Sequence, residues 1–222
     1  MAISLGGSTL TKENGELDIL FIKSFVELIK KHASKGTSFI IVVGGGFTSK
    51  KYITAASEFT ESQYIKDNIG IQTTYLNAWL LHSAFGNSSA VYRGDPNGIR
   101  SEIKNSSIVI TGGIIPGIST DTVTMLLAES ADATHVINVS TPKGIYNEKG
   151  KFVNAMDIDE LLELAMKDDT RVARSNFVFD VIACKIAKRS NTELHFLDKS
   201  IKNIESAISR RKHEGTVIKP KR

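Results

Sequence analysis

Residues 38–46 read SFIIVVGGG, a five-residue apolar run that ends directly in three glycines. A short run rich in β-branched residues predicts a buried strand, and the glycines predict a tight turn out of it. The same pattern occurs at Ala2–Leu5, which precedes GGS at 6–8, and at Ser107–Thr111, which precedes GGIIPG at 112–117. Three strands that each end in a glycine turn indicate a sheet whose turns lie together at one edge.

Helical stretches separate the predicted strands along the whole chain. Further strands are predicted at 90–93, 135–139, 193–197 and 215–218, and helices at 18–35, 48–59, 67–85, 120–131, 157–166, 176–189 and 201–211. This alternation predicts an α/β fold with a mainly parallel sheet. The 222 residues contain no internal repeat and no linker-like break in composition, so a single domain over 1–222 is predicted.

Composition excludes several classes of protein. The chain is 41% hydrophobic and 23% charged, which is ordinary for a globular protein. Its longest apolar run, Phe39–Val43, is far shorter than the ~20 residues of a membrane helix, and the N-terminus lacks the pattern of a signal peptide. A single cysteine, Cys184, excludes an internal disulfide and a multi-cysteine zinc site. We therefore expect a cytoplasmic protein with no membrane partner.

The positive net charge of the chain comes from its C-terminal tail. Residues 210–222 hold six basic side chains and one acidic side chain, while the other 209 residues hold 22 basic and 23 acidic side chains. A body with a net charge of −1 argues against nucleic acid as the main partner. RNA binding through the tail stays open as an alternative.

The three glycine turns predict a site for phosphates. Glycine lets backbone N–H groups approach an anion, and a helix that starts after the turn adds its dipole. Three such turns suggest several phosphates or two nucleotides along one sheet edge, as phosphoryl transfer requires. The Walker A, G-x-G-x-x-G and G-x-S-x-G motifs are missing, which argues against P-loop NTPases, Rossmann dinucleotide binders and α/β-hydrolases.

Five segments, in this order and spacing, resemble the amino acid kinase family, and within it the archaeal-type uridylate kinases. They are SLGGST at 4–9, VVGGG at 42–46 followed by KKYI at 50–53, KDNIGIQ at 66–72, TGGIIPGISTDTV at 111–123, and FDVIACKIAKRS at 179–190. The resemblance implies a three-layer αβα sandwich, a homohexamer, and transfer of the γ-phosphoryl group of ATP to UMP with Mg²⁺, in pyrimidine biosynthesis. It also implies an acceptor-binding part over about 1–130 and an ATP-binding part over about 131–222.

The resemblance implies two sets of nucleotide-binding residues. Those expected to bind ATP are Gly6, Gly7, Ser8, Gly46, Lys50, Ser140, Thr141, Tyr146 and Lys149. Those expected to bind UMP are Gly45, Asp67, Thr111, Gly112, Gly113, Ile114, Ile115, Pro116 and Gly117. Asp67 would accept hydrogen bonds from the ribose hydroxyls. The alternative for Asp67 is a helix N-cap, and both roles are compatible.

The expected catalytic residues are Lys50, Asp121, Asp180 and Lys185. Lys50 occupies a position that is usually arginine in the family, and solvated helix lysines are the alternative for Lys50 and Lys185. The alternative to a catalytic role for Asp121 is that this segment only caps a helix, through Ser119, Thr120 or Asp121 itself. No protein side chain is predicted to bind the metal, and none of the five histidines has metal-ligand spacing.

Two departures from the family keep other functions open. Ser4 stands where many members carry a lysine in the first turn, which leaves the catalytic charge to Lys50, Lys143 or Lys185. In the donor loop at 140–150, lysines at 143 and 149 replace two acids that the branch usually has. The alternatives are a kinase of another small phosphate, such as isopentenyl phosphate, and a non-catalytic nucleotide-binding protein.

Overall fold

One eight-stranded sheet forms the centre of the computed structural model, which describes residues 1–12, 14–147, 149–168 and 179–219. The strands are β1 (Ala2–Leu5), β2 (Phe39–Val43), β3 (Ala90–Val91), β4 (Ile108–Thr111), β5 (His135–Val139), β6 (Ala155–Met156), β7 (Glu193–Leu197) and β8 (Thr216–Ile218). Their spatial order is β3-β4-β2-β1-β5-β7-β8-β6. Neighbouring strands pair in parallel except β7 and β8, which are antiparallel.

Helices cover both faces of this sheet. They are α1 (Ile19–Ala33), α2 (Gly46–Ala56), α3 (Gln63–Phe85), α4 (Ile99–Asn105), α5 (Thr120–Ser130), α6 (Ile158–Asp168), α7 (Val181–Arg189) and α8 (Ile201–Ile208). Successive strand residues point to opposite faces. Ile3 and Ile41 therefore join the core under α1, α3 and α8, while Ile40 and Val42 join the core under α5, α6 and α7. The predicted αβα sandwich is confirmed.

Several predicted boundaries are corrected by the structure. Helix α3 begins at Gln63, four residues before the predicted start, and its N-cap is Ser62, whose hydroxyl accepts from the Ile65 amide. The interpretation of Asp67 as an N-cap is therefore wrong. Ser119 caps α5 by accepting from the amides of residues 121 and 122, which decides between the three capping alternatives there.

At the C-terminal side of the chain, α7 begins at Val181 with Asp180 as its N-cap, so Asp180 precedes the helix in which it was predicted. The predicted helix 176–189 has its first three residues outside the described part. The two-residue strand β6 and the short helix α4 were not predicted, because neither has a periodic apolar pattern long enough to read.

The topology brings the predicted glycine turns together. Strands β4, β2, β1 and β5 are adjacent and parallel, so their carboxyl ends meet at one edge of the sheet. The turns after these four strands begin at residues 112, 44, 6 and 140. In α/β sheets this edge is where ligands bind. Within the described ranges, no helix has the length and apolar character that crossing a bilayer requires.

Candidate active site

A cleft of about 380 Å³ lies at the carboxyl edge of the sheet. Its walls come from the turns after β1, β2 and β4, from α2, from the N-terminal half of α3 and from the first turn of α5. The lining residues are Gly6, Gly7, Ser8, Gly44, Gly45, Gly46, Ser49, Lys50, Ile53, Asp67, Gly70, Ile71, Thr74, Gly113, Ile115, Ile118, Ser119, Thr120 and Asp121. The sequence predicted ten of these as site residues, namely Gly6, Gly7, Ser8, Gly45, Gly46, Lys50, Asp67, Gly113, Ile115 and Asp121.

The glycine turns after β1 and β2 pack directly against each other. A Cβ atom on Gly7 would lie 2.3 Å from the Gly44 carbonyl oxygen and 2.3 Å from the Gly46 nitrogen. Gly46 has a φ of +60°, which favours glycine. The Asn77 side-chain amide fixes the second turn by donating to the carbonyls of Gly44 at 2.7 Å and Gly45 at 3.3 Å. The floor of the cleft is therefore backbone, which suits close approach of an anion.

Asp67 and the loop after β4 form the acceptor side of the cleft. The Gly117 amide donates to Asp67 Oδ2 at 2.8 Å, and the Gly113 amide donates to Thr74 Oγ1 at 2.9 Å. These bonds tie the loop to α3, although the two segments are far apart in the sequence. Within the predicted UMP loop, Gly113 and Ile115 line the cleft.

The remaining members of the predicted UMP loop support it from behind or lie on its outside. Thr111 and Gly112 are buried. Ile114 packs on the core under α5, α6 and α7. Pro116 is half-buried and Gly117 is exposed.

The Asp121 carboxylate lies at the bottom of the cleft. Its Oδ1 accepts from Ser4 Oγ and from Asn138 Nδ2, both at 2.8 Å. Burial raises the pKa of Asp121 to about 7, and the nearby charge of Asp180 adds to this effect. The two hydrogen bonds lower the pKa and so offset the shift only in part. Ser4 therefore has a visible role at the position where many members of the family carry lysine. Ser4 and Asn138 therefore belong to the site, although no binding role was predicted for either of them.

Asp180 lies beneath the cleft and does not line it. It accepts from the first-turn amides of Ile182 and Ala183, at 2.8 and 3.0 Å. The hydroxyls of Ser119 and Thr122 also donate to it. With 1% of its surface exposed, Asp180 clamps the N-termini of α5 and α7 together. This geometry makes it a positioning residue for Ser119 and hence for the start of α5.

The three lysines proposed to supply the catalytic charge have different surroundings. Lys50, in the first half of α2, lines the cleft. Lys143 pairs with Glu214 at 2.9 Å outside the cleft, and this pairing raises the pKa of Lys143. Lys185 is exposed on α7 and is not among the described lining residues. The structure thus brings Lys50 to the cleft and not the other two.

A second hollow of about 290 Å³ adjoins the cleft through Ser8 and Lys50. Its other lining residues are Thr11, Lys12, Phe47, Thr141 and Lys199. Ser8 Oγ and Thr141 Oγ1 lie 3.1 Å apart, so the turn after β1 contacts the predicted donor loop. Lys12 and Lys199 were missed by sequence reasoning, because no local motif marks them and only the fold brings them to Lys50.

The remaining predicted donor residues lie farther out. Ser140 donates its amide to the Leu197 carbonyl and so anchors the donor loop to β7. Tyr146 is 43% exposed and contacts the edge of the Phe152 ring. Lys149 lines a separate hollow of about 310 Å³ beside α6. In the described residues, neither Tyr146 nor Lys149 reaches the two joined hollows.

Comparisons with known proteins agree with this geometry. Residues 1–198 match the model of the amino acid kinase family. The uridylate kinases of Thermococcus kodakarensis and Thermococcus gammatolerans are 34% and 35% identical to this chain, each over 228 residues that cover 99% of both chains. The crystal structure of uridylate kinase from Archaeoglobus fulgidus matches with a TM-score of 0.83 at 32% identity, covering 98% of both chains.

Proposed function

The chain belongs to the amino acid kinase family, and on that premise we propose that it is a uridylate kinase, which transfers the γ-phosphoryl group of ATP to UMP. The match to the family model and the similarity to its members confirm the family that was predicted from the sequence. The observation that carries the proposal is the pair of joined hollows. One is faced by Asp67 and the loop after β4, the other by three lysines, and Ser8 and Lys50 belong to both.

The acceptor nucleotide fits the side of the cleft that Asp67 faces. The hydrogen bond from Gly117 uses Asp67 Oδ2 and holds the carboxylate in a fixed orientation toward the cleft. A carboxylate accepts two vicinal hydroxyls, so the ribose of UMP is its expected partner. The backbone of Gly45 and Gly113 then faces the α-phosphate, where N–H groups compensate its charge.

The donor phosphates fit the hollow that holds Lys12, Lys50 and Lys199. Lys199 Nζ donates to Asp18 Oδ2 at 2.7 Å, which fixes the ammonium group at the start of α1. Lys50 lies where the two hollows meet, beside the path of the transferred group. A cation there stabilises the charge that spreads over the equatorial oxygens in the transition state.

The cleft fits the Mg²⁺ that accompanies ATP. Asp121 is an enclosed carboxylate whose pKa is raised to about 7, and a nearby cation would stabilise its charged form. When bound, the ion neutralises phosphate charge and helps align the two nucleotides. Phosphate oxygens would hold the ion, and the Asp121 carboxylate would orient the water around it. Ser4 and Asn138 keep the Asp121 side chain in place for that role.

We also propose a cytoplasmic homohexamer, as the family resemblance implies. Exposed apolar side chains on α3, including Leu76 and Trp79, support association between copies of this chain. The UDP product enters pyrimidine nucleotide synthesis. The N-terminal part up to about residue 130 binds the acceptor in this proposal, and the later part contributes to ATP binding.

Coupled detection of ADP release tests the function. With ATP and Mg²⁺, we expect rapid turnover of UMP, slower turnover of CMP and none of isopentenyl phosphate. Preference for isopentenyl phosphate would overturn the proposal in favour of a different small-phosphate kinase. The second candidate is a non-catalytic nucleotide binder, which the outward position of Tyr146 favours. It predicts binding of ATP and UMP in calorimetry without any ADP release.

A further inference from the structure

Two histidines and a glutamate meet at the edge of the sheet opposite the cleft. His135 and Glu193 are the first residues of the neighbouring parallel strands β5 and β7, and they are direct register partners. Glu193 and His195 are two residues apart on β7, so their side chains point to the same face. The spacing of the five histidines along the sequence does not indicate a metal site. Pairing of β5 with β7 brings these residues together.

Hydrogen bonding determines which ring nitrogen of His135 carries a proton. His135 Nε2 lies 3.0 Å from the Ala207 carbonyl oxygen, which can only accept, so Nε2 is the donor. In the neutral ring, Nδ1 then has a free lone pair. This atom is buried without a hydrogen-bond partner, and it lies 3.6 Å from Glu193 Oε1, another acceptor. The buried Nδ1 lone pair therefore has no donor in the protein, and a cation bound between the two acceptors would supply the missing partner.

His195 completes the set of donor atoms. Its Nε2 lies 2.8 Å from the same Glu193 oxygen, and one ligand atom from each of the three residues lies within 4.8 Å of those from the other two. A tetrahedral ion with bonds of about 2.0–2.1 Å places its donor atoms roughly 3.3 Å apart. The observed separations of 2.8 and 3.6 Å bracket that value. Small side-chain adjustments are therefore enough to close the site.

The outer nitrogens of both rings are held as metal-bound histidines require. The Ala207 carbonyl fixes His135, and His195 Nδ1 lies 2.7 Å from His213 Nε2. Each ring therefore has one nitrogen held from outside and the other turned toward Glu193, which is the arrangement of a metal-bound histidine. The cationic groups near His135 are Arg210 and the amino terminus, and Glu193 provides the compensating negative charge.

We propose that His135, Glu193 and His195 bind one divalent transition-metal ion of the zinc class, which joins β5 to β7. Two imidazoles and one carboxylate suit Zn²⁺ and not Mg²⁺, which prefers oxygen ligands. The two histidine side chains are 4% and 6% exposed, whereas Glu193 is 35% exposed. Glu193 therefore gives the ion its route from solvent and leaves room for a water as fourth ligand. Since the cleft lies at the other edge of the sheet, the ion has a structural role.

Metal binding to the tag-free, chelator-treated full chain tests this site, with no nucleotide present. We expect Zn²⁺ to bind at one ion per chain in calorimetry and Co²⁺ to give the visible absorption of a tetrahedral nitrogen–oxygen site. At a free Zn²⁺ concentration of about 100 times Kd, the Tm should rise by roughly 5–10 °C. A surface histidine binds Zn²⁺ with an affinity on the order of 100 μM. If Zn²⁺ shows no stoichiometric binding at concentrations up to about that value, the proposal is overturned.

Variants locate the ion. His195→Gln and Glu193→Gln should each weaken Zn²⁺ binding at least ~100-fold, because each removes a direct ligand. Glu193→Gln keeps the size of a partly exposed side chain, so it serves even if His195→Gln does not fold. His82→Gln is the matched control, since His82 lies on α3 and bonds Ser89 at 2.9 Å. Equal Zn²⁺ affinity in wild type and in both cluster variants would place the ion elsewhere and refute the site.

Discussion

Asp121 is a residue whose surroundings oppose its charge. It is enclosed near Asp180, and the two hydrogen bonds from Ser4 and Asn138 compensate this only in part, so its pKa is raised to about 7. In the native state Asp121 keeps a proton that an unfolded aspartate loses near pH 4. Folding stability contributed by this group is therefore present at low pH and is lost as the pH rises toward 7. A cation bound in the cleft would offset that cost.

Asp121→Asn should remove this pH dependence, because asparagine keeps an acceptor oxygen and has no charge. We compare the free energy of unfolding of the variant with that of wild type at each pH. The difference should favour the variant by about 2 kcal/mol more at pH 8 than at pH 5. Urea denaturation at both pH values measures the difference. Asp132→Asn is the control, since Asp132 forms an exposed pair with Arg100 that contributes little. A gain of equal size at both pH values would contradict the role of the Asp121 charge.

Asp67 tests the acceptor side at the same scale. Asp67→Asn retains an oxygen for the Gly117 amide but loses the charge that strengthens bonds to ribose hydroxyls. Since such charge-assisted bonds contribute about 1.5–3 kcal/mol, we expect the KM for UMP to rise about 10- to 100-fold. The KM for ATP should change little. Steady-state kinetics with each nucleotide varied in turn checks this, and an unchanged UMP KM would show that Asp67 only holds the loop.

Lys50 and Lys185 can be compared directly, because both were predicted to be catalytic and, of the two, only Lys50 lines the cleft. Lys50→Met should lower kcat by about 10²–10³-fold with a modest change in KM, as expected for a charge that acts in the transition state. Lys185→Met should retain most activity. The reverse ranking, measured under saturating ATP and UMP, would move the catalytic charge to α7.

At the scale of elements, the strands were easier to predict than the site. The run Phe39–Val43 is β-branched and ends in glycine, so both ends of β2 can be read locally. The start of α3 cannot, because its first turn exposes Tyr64 and Ile65 and so lacks an amphipathic pattern. Lys12 and Lys199 meet only through tertiary packing of distant segments. Ten residues that line the cleft could be predicted from sequence motifs. The side chains that hold these residues in place could not be predicted in that way.

The contact between the first two glycine turns gives a prediction at this scale. Gly7→Ala places a Cβ 2.3 Å from backbone atoms of the second turn, so the turns must separate. We expect unfolding free energy to fall by about 1–3 kcal/mol, with loss of activity. Gly70→Ala is the matched control, since its Cβ would meet Ser49 Oγ at 3.5 Å, an ordinary contact, inside helix α3. There alanine should stabilise by about 0.5–1 kcal/mol in urea unfolding; a neutral Gly7→Ala would contradict the packing argument.

The whole molecule has two unlike helical layers. In the layer that contains α3, Leu76 and Trp79 are 61% and 56% exposed although they are large and apolar. Residues three apart on a helix lie on one face, so the two side chains form one patch. The opposite side of α3 is buried against the sheet by Ala78 and Leu81. A helix that is apolar on both sides is typical of one that packs against a second surface.

Association through that patch is the last prediction. Trp79→Glu puts a charge where a partner copy would have to bury it, and an unpaired buried charge is strongly unfavourable. We expect light scattering after gel filtration to give a multiple of 24.2 kDa for wild type and a smaller assembly for the variant. Met166→Glu is the control, since Met166 is equally exposed on α6 in the other layer. A wild-type mass of one chain, or equal assemblies for wild type and Trp79→Glu, would refute α3 as the interface.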